Sequence, residues 1–348
     1  MARMIKVLIV DDSAIVRKVL TEAISAERDL EVVGTAPDPY IAEQKILALK
    51  PDVLTLDIEM PRMDGLTFLR KLMQTRPMPV IVISSLGQAG CRAALEAMEY
   101  GAVEVLGKPA GPYSVGDLKL QLPAKIRAAS VARVGMKRSG ISPAPVVPLA
   151  PVRASSSNRP VIIAIGASTG GTEAIQKILV HLPKDTPPIV IAQHIPPGFS
   201  RAFADRLNTL CQIEVREAVD GDELRPGLAL VAPGNFHLLV QRTLHGYRAV
   251  VKDGPLVCYQ RPSVDVLFRS VAEAAGEGAI GVLLTGMGSD GAEGLLAMRK
   301  AGAQTIAEDE STCVVFGMPR EAIRIGAVKR VLPLPQIAAG VVGAIHRG

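Results

Sequence analysis

At 348 residues, 48% of them hydrophobic, the chain is longer than one hydrophobic core usually organises, so two domains are expected. No apolar run approaches the roughly 20 residues that span a bilayer, and Met1 to Val10 reads as a strand rather than a signal segment, so a cytoplasmic protein without membrane insertion is expected. The net charge of +5 is no nucleic-acid signature, because residues 111–160 carry 8 basic side chains against 1 acidic while residues 161–348 carry 18 of each.

Short β-rich runs alternate with helical patterns in the first half. Strands are expected at Val7–Val10, Leu30–Thr35, Val53–Leu56, Val80–Ser84 and Val103–Leu106, with helices at Ala14–Ala26 and Tyr40–Leu49. This rhythm implies parallel βαβ units with chemistry at the carboxyl ends of the strands. Asp11 and Asp12 close the first strand, Asp57 the third, Ser84 the fourth, and Lys108-Pro109 follows the fifth. Three carboxylates at one sheet edge repel one another unless a cation neutralises them, and hard oxygen ligands favour Mg²⁺. In such a site Asp57 is the carboxylate nucleophile for a phosphoryl group, with Lys108 pairing one of its oxygens and Ser84 donating a hydroxyl. Taken alone, the Asp pair reads equally well as a helix N-cap.

Residues 111–158 are basic and rich in Pro, Ser and Ala, the composition of a flexible tether. The four cysteines are far apart, so neither disulfides nor zinc is implied. From residue 159 onward the α/β pattern returns. Strands are expected at Val161–Ile165, Ile189–Gln193, Leu228–Ala232 and Ala279–Thr285, and helices at Glu173–Leu182, Arg201–Leu210, Val264–Ala275 and Glu293–Ala301. Phe236–Val240 and Tyr247–Val251 read as a hairpin.

Ser168, His194 and Asp290 each follow a strand of this half and can face one crevice of a doubly wound sheet. His194 is then general base for the Ser168 hydroxyl, Asp290 orients the imidazole, and glycine-rich turns present main-chain N–H groups to an oxyanion. The turn Gly166-Ala167-Ser168-Thr169-Gly170-Gly171 also reads as a degenerate dinucleotide loop, although GxGxxG and a well-placed acidic partner are both missing. His194 alone reads as a satisfied strand-end histidine, and Asp290 alone as a turn or cap residue.

With Asp11-Asp12, Asp57-Ile58-Glu59-Met60-Pro61-Arg62-Met63-Asp64-Gly65, Ser84-Ser85 and Lys108-Pro109 in order, residues 4–110 resemble the receiver domain of two-component response regulators. The resemblance implies a flavodoxin-like fold for residues 1–110 and phosphorylation at Asp57. It implies Mg²⁺ on Asp12, Asp57 and the Glu59 carbonyl, with Asp11 acting through water. Val105 and Leu106 stand where many receivers carry an aromatic switch, so an aromatic rotamer switch is not expected. The segments GASTGG (166–171), QHIPPGF (193–199), APGNFHL (232–238), RPSVDVLF (261–268) and TGMGSDGAEG (285–294) are similar to the catalytic domain of the CheB family of chemotaxis protein-glutamate methylesterases.

That resemblance implies a Rossmann-like catalytic domain over residues 159–348 and a Ser168, His194, Asp290 triad, with Thr169 and Met287 near the oxyanion. No cofactor is expected for the ester chemistry. The substrates implied are glutamate γ-methyl esters, and glutamines, on methyl-accepting chemoreceptors, with a chemotaxis histidine kinase as phosphodonor. A receiver that covers the crevice until phosphorylated is the expected regulation, and a monomer the expected state. Two other readings predict different outputs: a regulator that only binds, indifferent to Ser168→Ala, and a transcription factor, which needs a helix-turn-helix and a basic face absent from the charge-balanced second half.

Overall fold

The computed structural model describes residues 3–108, 112–134 and 160–345, arranged as two compact units, Met1–Lys137 and Arg138–Gly348. In the first unit five parallel strands, β1 (Ile5–Val10), β2 (Leu30–Ala36), β3 (Val53–Asp57), β4 (Val80–Ser84) and β5 (Glu104–Gly107), pair in the order β2-β1-β3-β4-β5. Helices α1 (Ala14–Ser25), α2 (Pro39–Leu49), α3 (Gly65–Thr75), α4 (Gln88–Glu99) and α5 (Pro112–Ser130) connect and cover them. β3 and β4 are buried along their whole length, as strands covered on both faces must be. Ser13, Asp38 and Asp64 cap α1, α2 and α3 by accepting a main-chain N–H of the first turn, so the N-cap expected near the Asp11-Asp12 pair falls one residue later, on Ser13.

Residues 112–130, expected to be tether, form α5, which packs on α1 and β5. Leu118, Leu122, Ile126 and Ala129 recur at helical spacing and are buried, so the helix is held by an apolar face despite the interior Pro123. Its cations find the unit's acids. Lys125 Nζ lies 2.7 Å from Glu104 Oε2, and Arg127 Nη2 lies 2.6 Å from both Glu27 Oε2 and Asp29 Oδ1. The basic charge of this stretch is therefore partly internal neutralisation. The rest of the expected tether, residues 135–158, lies outside the described residues.

The second unit has a seven-stranded parallel sheet in the order β15-β14-β13-β6-β7-β10-β8. In chain order its elements are β6 (Ile162–Ala167), α6 (Gly171–Leu179), β7 (Ile189–Gln193), α7 (Phe199–Leu210), β8 (Glu214–Glu217), β9 (Glu223–Leu224), β10 (Leu228–Val231), β11 (His237–Arg242), β12 (Tyr247–Lys252), α8 (Val264–Ala275), β13 (Ala279–Leu283), α9 (Ala292–Lys300), β14 (Gln304–Glu308), α10 (Met318–Arg324), β15 (Arg330–Leu332) and α11 (Leu334–Ile345). β11 and β12 form the expected antiparallel hairpin, extended by β9 into a three-stranded sheet. The chain starts at the central β6, builds outward through β7, then returns to β13 on the other side of β6. The carboxyl ends of β6, β7 and β13 therefore meet at the switch of strand order, where open α/β sheets bind ligands.

Candidate active site

Strand β6 ends in a turn that only small residues permit. A Cβ on Gly166 would collide with Val264 Cγ1 and lie 3.1 Å from Phe268 Cζ, and Gly170 takes φ 78° to start α6. Ser168 leaves this turn buried, with its N–H donating to Thr285 O at 3.0 Å. In the β6/β7 register Ala167 faces Gln193, and the His194 N–H continues that ladder by donating to Ala167 O at 3.1 Å. Adjacent strands lie about 5 Å apart, so His194 stands beside Ser168. Gln193, quoted in a sequence motif but given no role, ties the two ends together: its Nε2 donates to Ser168 O at 2.9 Å and to His194 O at 3.2 Å.

Asp290, in the loop after β13, is buried and lies with Oδ2 2.7 Å from His194 Nε2. A carboxylate only accepts there, so Nε2 carries the proton and Nδ1 is left as the basic nitrogen. Nδ1 is buried with no hydrogen-bond partner among the described residues. Burial pushes the Asp290 carboxyl up, but the His194 hydrogen bond and charge and the Asp265 and Val264 N–H groups outweigh it and hold the acid below its ordinary 3.8. Those donors, with Ser263 Oγ, come from the start of α8. They were missed in the sequence, where Ser263 signals only the N-cap it also is.

The 285–291 loop completes the crevice. Thr285 Oγ1 donates to Thr169 O at 2.9 Å, and Thr285 N–H donates to the buried Glu308 Oε2 at 2.9 Å. Gly286 is bonded on both sides by 315–318, and a Cβ there would lie 2.7 Å from Ser168 Cβ. Met287 follows, partly exposed, and its main-chain N–H makes no hydrogen bond among the described residues. A buried serine hydroxyl, a buried carboxylate, and an imidazole nitrogen and a main-chain N–H that both lack hydrogen-bond partners among the described residues suit acyl transfer through a tetrahedral oxyanion.

A second constellation lies at the carboxyl edge of the first unit's sheet. Asp57, fully buried, accepts from Lys108 Nζ at 2.6 Å and from the Glu59 N–H at 3.0 Å. Lys108 is placed by its N–H, which donates to Ser84 O at 2.7 Å, and its Nζ is 3.6 Å from Asp11 Oδ2. Burial, then the Asp11 charge, push the Asp57 carboxyl up to about 6 against the opposing pull of Lys108, and burial raises Asp11 too. Asp11, Asp12 and Asp57 offer oxygens within 4.8 Å of one another, and Asp11 Oδ2 is buried without a hydrogen-bond partner among the described residues. That donor set fits a hard divalent cation. Ser84 Oγ donates to Gly90 O at 3.1 Å, in the first turn of α4. Of the sequence-predicted residues in this unit, Pro109 lies outside the described residues.

Comparison with known proteins matches both halves. The CheB methylesterase family model covers residues 163–341, and the response regulator receiver domain model covers residues 7–116. The chain is 55% identical over 338 residues to protein-glutamate methylesterase/protein-glutamine glutaminase 2 of Syntrophus aciditrophicus, with 97% of this chain and 98% of that one covered. It is 50% identical over 346 residues to protein-glutamate methylesterase/protein-glutamine glutaminase of Salmonella typhimurium, covering 99% and 98% respectively. The crystal structure of the Thermotoga maritima CheB methylesterase catalytic domain, 40% identical, superposes with a TM-score of 0.52 and covers 53% of this chain and 97% of that one.

Proposed function

This chain belongs to the CheB methylesterase family, and from that premise we propose that it hydrolyses glutamate γ-methyl esters, and deamidates glutamines, on methyl-accepting chemoreceptors under control of its receiver domain. The observation that carries the catalytic assignment is the 2.7 Å bond from His194 Nε2 to Asp290, which leaves Nδ1 buried and without a hydrogen-bond partner among the described residues, at a strand end adjoining that of Ser168.

Ser168 Oγ attacks the γ-carbonyl carbon as His194 Nδ1 takes its proton, and Asp290 stabilises the imidazolium. The Met287 N–H, with the Thr169 main chain, holds the oxyanion. Collapse breaks the bond to the leaving group, and the proton on Nδ1 goes to it, releasing methanol from an ester or ammonia from a primary amide. Water then attacks the acyl-serine with His194 as base, returning Ser168 and a glutamate carboxylic acid, which ionises. One triad serves both substrates because their tetrahedral oxyanions are alike. The ester is faster, since the amide nitrogen must be protonated to leave.

In the receiver, Asp57 accepts the phosphoryl group from a histidine kinase. Asp12, Asp57 and the Glu59 carbonyl, backed by Asp11, would hold Mg²⁺, whose charge offsets that of the phosphoryl oxygens. Lys108 exchanges its contact with Asp57 for one with a phosphoryl oxygen. Ser84 turns from Gly90 O to the same group, which couples phosphorylation to the first turn of α4. The chain is proposed to work as a monomer in the cytoplasm; among the described residues no helix is long and apolar enough to cross a membrane. An active-site fluorophosphonate followed by peptide mass spectrometry tests the nucleophile. The label is expected on Ser168 and lost in His194→Ala; labelling that survives this change overturns the assignment.

A further inference from the structure

The Asp290 carboxylate is held by one short stretch of chain. Ser263 Oγ and the Asp265 N–H donate to Oδ1 at 2.8 and 3.0 Å, and the Val264 N–H donates to Oδ2 at 2.8 Å. The start of α8 therefore sets where Asp290 stands, and Asp290 sets the imidazole of His194. Yet α8 is entered from an irregular loop, residues 253–262, whose only ladder contact among the described residues is the Val257–Gln260 bridge. Such a loop does not fix a helix start on its own.

His237, the first residue of β11, and Asn235, two residues before it, bond to the end of that loop and the start of the helix. His237 is buried; the Ser263 N–H donates to its Nδ1 at 3.2 Å, and its Nε2 bonds Pro255 O at 2.9 Å. The Ser263 donor requires Nδ1 to be unprotonated, so the ring is the neutral Nε2–H tautomer. Asn235, at φ 69°, donates its N–H to Arg261 O at 3.1 Å and accepts from Arg261 Nε and Nη2 at 3.1 and 2.8 Å. Positions 235 and 237 thus grip positions 261 and 263. The segments APGNFHL and RPSVDVLF, which supply no member of the triad, meet at this grip.

We propose that His237, supported by Asn235, is a positioning residue of the esterase: through imidazole Nδ1 it holds Ser263, and through Ser263 it aims Asp290 at His194. The proposal rests on the Ser168, His194, Asp290 reading given above. A purely structural role would run instead through the Pro255 contact, and two substitutions of similar size separate the routes. His237→Asn puts an amide oxygen close to the place of Nδ1 and keeps an acceptor for Ser263. His237→Gln puts an amide N–H close to the place of Nε2 and keeps the donor for Pro255.

In the full-length protein, methanol release from methylated chemoreceptor membranes is measured with the low-field proton resonance of the His194 Nε2–H. His237→Asn is expected to stay within about threefold of wild-type kcat with the resonance unchanged. His237→Gln is expected to lose about 10–100-fold in kcat with KM within about twofold, and to shift or broaden the resonance. Equal behaviour of the two variants, or a His237→Gln resonance that does not move, overturns the proposal. Release that persists in Ser168→Ala would instead overturn the triad reading, and the resonance would still decide the role of His237.

Discussion

Replacing Asp290 by Asn keeps the side-chain volume and removes the charge, so its cost can be worked from the hydrogen bonds. The carboxylate accepts four: Ser263 Oγ and Asp265 N–H at Oδ1, His194 Nε2–H and Val264 N–H at Oδ2. An amide offers one oxygen in place of two, and its NH2 must face one of these pairs. The Ser263 hydroxyl can turn to accept, but neither main-chain N–H can, so at least one buried donor is stranded in either orientation. A stranded donor costs about 1–3 kcal/mol. For a unit of about 200 residues, 2 kcal/mol lowers the midpoint by about 4–8 °C. Catalysis loses more, because an imidazolium forming on His194 no longer faces a negative charge; the comparable change in the Ser-His-Asp template costs about 10⁴ in kcat. The assay is methanol release from methylated chemoreceptor membranes beside thermal unfolding followed by circular dichroism. A variant within tenfold of wild-type kcat would refute the role of Asp290, and an unchanged midpoint would refute the hydrogen-bond count. The pH dependence has a definite sign. Because the folded state holds Asp290 below its ordinary 3.8, its contribution is complete above that value and fades as pH falls through the folded one. The stability gap between wild type and Asp290→Asn should therefore narrow as pH falls below about 4.

Gly286→Ala puts a Cβ 2.7 Å from Ser168 Cβ and against Met318 Sδ, so it is expected to cost about 1–3 kcal/mol and, by shifting the nucleophile, about 100-fold in kcat; normal turnover would show that the turn can yield. Asp57→Asn removes one of three clustered carboxylates, so it should raise the first unit's thermal midpoint in chelator and abolish the further rise that Mg²⁺ gives wild type. Leu122→Ala, at a fully buried position of α5, should destabilise the first unit by about 2–5 kcal/mol in denaturant titration, whereas a tether would register no change.

The strands that build both sheets were legible where they are buried on both faces, because β3, β4, β6, β7, β10 and β13 are nearly unbroken apolar runs. β8 and β15 were not, since these edge strands are short and partly exposed and carry mostly charge or a lone apolar pair. β14 hid because it ends in Glu308, whose burial depends on Thr285 and Thr312, residues the spacing does not bring together. Composition misled at α5: the apolar stripe Leu118, Leu122, Ile126 was present, but the net positive charge and nearby prolines hid it. Ser168, His194 and Asp290 could be named because each follows a strand, and chemistry collects at strand ends. Gln193, Ser263 and His237 could not, because their contacts are hydrogen bonds spanning about 25 residues or more, which neither periodicity nor a turn signal records.

The most direct test of a phosphorylation-controlled serine esterase is methanol release from methylated chemoreceptor membranes, by wild type, Ser168→Ala and Asp57→Asn, each with and without a small-molecule phosphodonor and Mg²⁺. Release by wild type that the phosphodonor raises, none from Ser168→Ala, and unstimulated release from Asp57→Asn are expected. Release that persists in Ser168→Ala, or that the phosphodonor still raises in Asp57→Asn, would contradict that expectation.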